Sequence, residues 1–175
     1  MELQLIGQAN ESFRPNIYKR HAVGVIFMAE NTGRFLTLKR AADKNFPHTW
    51  GTVGGKAEAG ENFVEAALRE TYEEAGFDLK ALYPISDDDN KFTHSMTFLA
   101  MIPSELAPVL NDEHVDFTWT TLADWPRPLY PAMERVIYHP DVHNALTHMT
   151  PDILKNVQRP VVAKNSAPAL ALEAC

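Results

Sequence analysis

A chain of 175 residues, 45% hydrophobic and 22% charged, is long enough for one packed domain and has the makeup of a soluble globular protein. Its 16 Lys and Arg against 23 Asp and Glu give a net charge of −7, which argues against a duplex nucleic acid held on a basic surface. The single cysteine, Cys175, leaves no partner for an intrachain disulfide, and no apolar run is long enough to span a bilayer. The N-terminal stretch lacks a basic segment followed by an apolar core, so a reducing cytoplasm is the expected setting.

In chain order, residues 1–19 read as an irregular arm, because Pro15 interrupts any helix there. His21 to Met28 is an apolar, β-branched run that predicts a buried strand. Asn31-Thr32-Gly33 turns the chain into a second strand, Phe35 to Arg40. After a loop from Ala41 to Thr49, a short strand is expected from Trp50 to Gly54. A helix follows, then a strand from Leu79 to Ile85 and a solvated turn over Asp87-Asp88-Asp89-Asn90. Phe92 to Ala100 alternates like a half-buried strand, and Val115 to Thr121 predicts another. A proline-broken connection, Asp124 to Pro131, leads to a helix over Pro131 to Tyr138 with proline in its first turn. A second short helical stretch is expected over Val142 to Met149. Prolines and small residues make Asn156 to Cys175 a tail. The division is thus an arm (1–19), one catalytic-sized domain (20–155) and a tail (156–175). Strands interleaved with helices predict an α/β fold, with helices on both faces of a mixed β-sheet.

The densest chemistry lies in Gly55 to Phe77, G-K-A-E-A-G-E-N-F-V-E-A-A-L-R-E-T-Y-E-E-A-G-F. Asn62 suits an N-cap, with Glu65 three places on as in a capping box, and Gly76 suits a left-handed C-cap. Val64, Ala67, Leu68, Thr71 and Ala75 recur at helical spacing and give an apolar face. Glu70, Glu73 and Glu74, at i, i+3 and i+4, are expected on the opposite face. Such crowded carboxylates repel unless a divalent cation neutralises them, and hard oxygen ligands suit Mg²⁺ or Mn²⁺ better than zinc. The plain alternative is a solvated acidic face. Glu65-Arg69 and Arg69-Glu73 are i,i+4 pairs, so Arg69 can offset some repulsion. Gly54-Gly55 lets backbone approach a ligand closely.

This order of residues resembles the Nudix box, G-x5-E-x7-R-E-U-x-E-E-x-G-U, where U is a bulky aliphatic residue. Gly55, Glu61, Arg69, Glu70, Glu73, Glu74 and Gly76 meet every fixed letter, while Thr71 and Phe77 fill the two apolar slots loosely. The resemblance implies an α/β/α sandwich and hydrolysis of a nucleoside diphosphate linked to another group. It implies that Glu70, Glu73, Glu74 and the Gly54 carbonyl hold Mg²⁺ or Mn²⁺, that Glu70 is a candidate general base, and that Glu61 and Arg69 orient the set. Arg40-Ala41-Ala42-Asp43 further resembles the MutT-type nucleoside triphosphate pyrophosphohydrolases, where such an arginine contacts phosphate. A strand-end arginine in water is the equal alternative. Glu113 stands where those enzymes place a further carboxylate near the metals, against the alternative of an exposed loop glutamate. Gly55 would lie against substrate.

Met133 replaces the asparagine with which MutT-type enzymes read a purine; a thioether lacks paired donor and acceptor, which predicts weak base selection, unless Met133 is core filler. His139 and His143 could ligate a metal at i,i+4, but Pro140 between them is expected to spoil that helix. His48 and Trp50 flank the site, Trp50 as a core residue or a base contact. The implied partner is a small nucleotide, with no duplex nucleic acid and no membrane, and the sequence leaves room for a homodimer. Hydrolysis of nucleotide-sugars, dinucleoside polyphosphates or RNA 5′ ends, and a non-catalytic nucleotide-binding regulator, are the competing functions.

Overall fold

The computed structural model describes residues 19–79 and 81–148. The expected arm, apart from Lys19, and the expected tail both lie outside them. Six strands, β1 (Arg20–Ala29), β2 (Phe35–Arg40), β3 (Trp50–Gly51), β4 (Tyr83–Asp89), β5 (Thr93–Ile102) and β6 (His114–Thr120), form one mixed sheet. Among the described residues three helices join them: α1 (Phe63–Ala75), α2 (Pro131–Ile137) and α3 (Pro140–His148).

β1 runs parallel to β5 along its whole length, from Arg20↔Thr93 to Ala29↔Ile102, and β4 closes that side antiparallel to β5. On its other side β1 meets β2 only at Met28↔Phe35 before the two strands diverge. The segment after β3 enters the gap: Leu38 pairs with Gly51, Val25 with Val53 and Ala22 with Lys56. Gly55 then exchanges both backbone hydrogen bonds with Val23, at 2.9 and 3.1 Å. The split in the sheet thus holds the Gly54-Gly55 turn between two strands.

Alternation along β1 divides the core. Val23, Val25 and Phe27 join Leu36, Leu38, Phe98 and Trp119 under α1, which contributes Ala66, Ala67 and Ala75. Ile26 and Met28 face the other way, with Ile85 and Leu99, under Met133 and Ile137 of α2 and Val142 and Leu146 of α3. One helix on one face and two on the other make the α/β/α sandwich. Each fully buried side chain of this kind contributes about 1.5–3 kcal/mol.

Several expected boundaries move. β4 starts at Tyr83 rather than Leu79 and continues through Asp87, Asp88 and Asp89, which pair with Met96, Ser95 and His94. The turn is confined to residues 90–92, where Asn90 Oδ1 accepts the N–H groups of Phe92 and Thr93, both at 3.0 Å. Hydrogen bonding to β5, invisible in the local composition, overrides three poor strand formers. Pro140 does not break a helix but begins α3, where a missing N–H is harmless, and the His143 N–H donates to the His139 carbonyl at 2.9 Å. The regular part of the predicted third strand is only Trp50–Gly51. No helix among the described residues is long and apolar enough to cross a membrane.

Candidate active site

α1 is fixed at both ends by the residues expected to cap it. Asn62 Oδ1 accepts from the N–H groups of Val64 and Glu65, each at 2.9 Å, and Glu65 returns a bond to the Asn62 N–H at 2.9 Å. Gly76 ends the helix at φ 70°, donating to the Tyr72 carbonyl. Because Glu65 is engaged in the cap, it is not the partner of Arg69 that the i,i+4 spacing suggested.

Arg69 instead spends its whole donor set on the site. Nε and Nη2 hold Glu61 bidentately at 2.8 and 3.0 Å, Nη1 reaches Glu70 at 2.9 Å and Glu73 at 3.1 Å, and Nη2 also donates to the Lys56 carbonyl at 3.0 Å. This planar fork ties the start of the box to the helix. The Arg69 hydrogen bond, with help from the Glu58 N–H, holds the Glu61 carboxyl below the usual range.

The three helix carboxylates differ in burial, which their spacing does not reveal. Glu73 is exposed, Glu70 is mostly covered, and Glu74 is only 3% exposed, on the packed side with Thr71 and Ala75. Glu74 therefore does not lie opposite the apolar face. Its Oε2 accepts from the Gly54 N–H at 2.9 Å. Burial pushes the Glu74 carboxyl up to about 8, and the charges of Glu70 and Glu113 add to that. Burial also raises Glu70, against the opposing pull of Arg69.

Gly54 and Gly55 are both required. Gly54 sits at φ 151°, and a Cβ there would strike the Val23 carbonyl oxygen and come within 2.9 Å of Gly24 Cα. A Cβ on Gly55 would meet the Glu70 carboxylate, with Cδ at 2.6 Å. The turn thus presses its backbone directly against two carboxylates.

Arg40 ends β2 with its guanidinium 5.3 Å from the centre of the Tyr130 ring, its Nε donating to the Asn45 carbonyl at 2.9 Å and Nη2 3.5 Å from Glu113. Tyr130 arrives because the segment before α2 bonds to β3: the Trp50 N–H donates to the Pro128 carbonyl, and the Tyr130 N–H to the Trp50 carbonyl at 2.7 Å. Nothing in the sequence reading marked Tyr130; an aromatic at the start of a helix carries no local signal of what it will face. His114, paired with Arg40 across a bulge, is buried, and that burial, reinforced by Arg40, lowers its pKa to about 4. It adds no charge at neutral pH.

Arg40, Gly54, Gly55, Glu113, Tyr130 and Met133 line one cleft of about 570 Å³, which continues over β1, β5 and β4. Met133 is 2% exposed and packs in the core beneath α2, so it is core filler that also forms part of the cleft wall. Trp50 packs against the same core, and neither it nor the exposed His48 lines the cleft. His139 lines it, while His143 does not.

Around the turn, Glu61, Glu70, Glu73, Glu74 and Glu113 face two guanidinium groups among the described residues, Arg40 and Arg69. Among the described residues, no three His, Cys, Asp or Glu side chains converge as a ready cage; Arg69 and the Gly54 N–H engage the carboxylates. The donor set nevertheless fits a hard cation: Glu74 is a buried carboxylate that, among the described residues, accepts one hydrogen bond, from a neutral N–H, and the oxygens on offer are those Mg²⁺ takes.

A mixed β-sheet split by a Gly-Gly turn, with a carboxylate-bearing helix packed on it, is the frame of the site. The chain belongs to the Nudix family: the NUDIX domain matches residues 18–139. Members of this family are pyrophosphohydrolases acting on phosphorus-containing anhydrides, and they generally use divalent metals. The chain is 38% identical over 69 residues to the dihydroneopterin triphosphate diphosphatase of Escherichia coli K12, a match covering 39% of this chain and 44% of that one. It is 32% identical over 120 residues to the nucleoside triphosphatase NudI of Klebsiella pneumoniae, covering 60% and 85%. The chain spans less than half of the first of these relatives. Its structure is similar to a MutT NUDIX hydrolase from Burkholderia pseudomallei, with a TM-score of 0.57, 27% identity, and 66% and 93% of the two chains covered.

Proposed function

We propose that this protein is a Mg²⁺-dependent, MutT-like hydrolase that cleaves a pyrophosphate bond of nucleoside triphosphates. The observation that carries this reading is the packing of Glu70 and Glu74 against the Gly54-Gly55 turn, at the end of a cleft large enough for a nucleotide. Glu70, Glu73, Glu74 and the Gly54 carbonyl would hold Mg²⁺ or Mn²⁺, with Glu113 a further oxygen donor. Bound there, the ion would lower the pKa of water and neutralise charge on phosphate oxygens.

The chain's own residues supply the rest. Arg40, which lines the cleft, binds a phosphate oxygen, its plane set by Tyr130 and Asn45. Glu70, held by Arg69 against the Gly55 backbone, is the residue placed to take the proton of the attacking water. The water oxygen forms a bond to one phosphorus, the bridging P–O bond breaks, and the departing phosphate keeps that electron pair. Glu61 and Arg69 touch no reacting atom in this scheme; they hold Glu70 and Glu73 in register. Positioning and charge supply most of the rate in such a reaction.

The similarity to a dihydroneopterin triphosphate diphosphatase supports a second substrate of the same chemistry, the triphosphate of a reduced pterin. The test is turnover of a panel of nucleoside triphosphates, pterin triphosphate, nucleotide-sugars and dinucleoside polyphosphates with Mg²⁺, Mn²⁺ or chelator, with products resolved by chromatography. Metal-dependent release of pyrophosphate or phosphate from triphosphates is expected. Turnover of none of them, or turnover untouched by chelator, would overturn the reading.

A further inference from the structure

The far end of the cleft has no part in the chemistry above, yet its floor is regular. The register of β4 on β5 pairs Ser86 with Thr97 and Asp88 with Ser95. Residues paired across a ladder share a face, and these four side chains all line the cleft. Farther along the same face β5 carries Leu99 and Met101, packed under α2 and α3. The face turns from apolar to polar where the helices stop covering it.

The acidic run on β4 is sorted by the same alternation. Asp87 binds His94 at 2.7 Å and Asp89 pairs with Lys19, both away from the cleft. Asp88, between them, faces into it, and its side chain makes no ion pair or hydrogen bond among the described residues. Arg135, on α2, lines the same space, and its side chain likewise makes none among them. The Gly54-Gly55 segment, β1, β5 and β4 are successive neighbours. The reacting end therefore lies about 14 Å from Asp88, three strand spacings away. A nucleotide lying across the strands would put its phosphates at one end and its ring at the other.

We infer that this end of the cleft reads the 2-amino-4-oxopyrimidine edge common to guanine and pterins, Asp88 accepting from the ring N–H and the amino group and Arg135 donating to the ring carbonyl. The inference rests on the hydrolase reading for the other end of the same ligand. A carboxylate offers acceptors only and a guanidinium donors only. The shared edge presents two adjacent donors beside an acceptor, matching that pair. Adenine and cytosine place a bare ring nitrogen next to their amino group, and that lone pair would face the carboxylate. Oxidation of guanine at C8 leaves the edge unchanged, so it should not be selected. The weak selection expected from Met133 is thereby sharpened by a residue on a different element.

The test compares kcat/KM for dGTP, 8-oxo-dGTP, dihydroneopterin triphosphate, dATP and dCTP with Mg²⁺, in the natural full chain and in Asp88→Asn. Calorimetric binding of GMP and AMP to both proteins is the companion measurement. One good bidentate contact predicts that dGTP or the pterin exceeds dATP and dCTP by at least about tenfold. Asp88→Asn should narrow the dGTP-to-dCTP ratio by about tenfold, chiefly through KM. The relative rates of dGTP and the pterin triphosphate identify which source of the edge is served. Equal efficiency on all bases, or a preference unchanged by Asp88→Asn, overturns the inference while leaving the hydrolase reading intact. If no triphosphate is hydrolysed, that reading falls and binding decides: GMP held tighter than AMP, and loosened by Asp88→Asn, supports the subsite, and any other pattern overturns it.

Discussion

The two ends of the cleft are built in opposite ways. At the Gly54-Gly55 end nearly every polar atom is already engaged: Arg69 directs its guanidinium to three carboxylates and a carbonyl, Glu74 takes the Gly54 N–H, and Asn62 and Glu65 cap each other's helix positions. At the β4–β5 end, Ser86, Asp88, Ser95, Thr97 and Arg135 line the space without side-chain hydrogen bonds among the described residues. A reacting centre gains from preorganisation, since groups fixed beforehand need no rearrangement in the transition state. A recognition surface leaves its hydrogen bonds for the ligand to complete. The contrast predicts that substitutions at the first end act on kcat and on stability together, and those at the second chiefly on KM.

The largest expected effect is at Glu74. Glu74→Gln keeps the shape but cannot ionise to meet a bound cation, and activity should fall at least ~100-fold with the fold intact. Near-normal turnover in a folded variant would break the assignment of this end as the reacting one. Gly55→Ala should follow, because the added Cβ displaces the Glu70 carboxylate. A misplacement of this size costs up to about 100-fold in rate. An unchanged kcat in Gly55→Ala would mean that the Glu70 position is not critical.

Stability should respond to metal and pH in the same place. The Glu74 carboxyl sits at about 8 in the fold, above its ordinary value of 4.5. Its contribution is full below pH 4.5 and is lost as pH rises towards 8, where the buried group must ionise. A cation that binds the ionised form reverses this loss, adding about 2.7 kcal/mol at a hundred times its Kd. Mg²⁺ should therefore raise the melting temperature more at pH 8 than at pH 5. In chelator at pH 8, Glu74→Gln should melt no lower than the natural protein. Melts identical in chelator and millimolar Mg²⁺ at pH 8 would count against a cation here.

The engaged end was also the legible one. Asn62, Glu65 and Gly76 announce the helix by local rules, and the box letters mark by resemblance the family to which the chain belongs. What spacing alone did not convey was depth: Glu73 and Glu74 are sequence neighbours, yet one is solvated and the other buried, because the Gly54 turn and β1 close over one side of α1. The open end was nearly illegible. Asp87, Asp88 and Asp89 read as a turn until β5 supplies their hydrogen bonds, and only the resulting pleat separates Asp88 from its neighbours. Strand pairing across the divergence of β1 and β2 is equally non-local. Pro140 misled for the opposite reason: a strong local rule about helix interiors was applied to a residue that stands at a helix start.

The smallest effect tests the joint between the two ends, where Arg40 lies over Tyr130. A guanidinium on an aromatic face at a solvent-accessible site contributes about 0.5–1 kcal/mol. Tyr130→Phe retains that face, and the Tyr130 hydroxyl has no hydrogen bond among the described residues, so its kinetics should match those of the natural protein. Tyr130→Leu keeps bulk but removes the π-face, and Arg40 then loses its fixed plane while keeping its charge. KM for a triphosphate should rise roughly two- to fivefold, the kinetic equivalent of that energy, with kcat unchanged. A comparable fall in kcat in Tyr130→Leu would place Arg40 with the preorganised end, acting in the transition state rather than in binding. No change in either variant would mean that Asn45 and Glu113 alone suffice to aim the guanidinium.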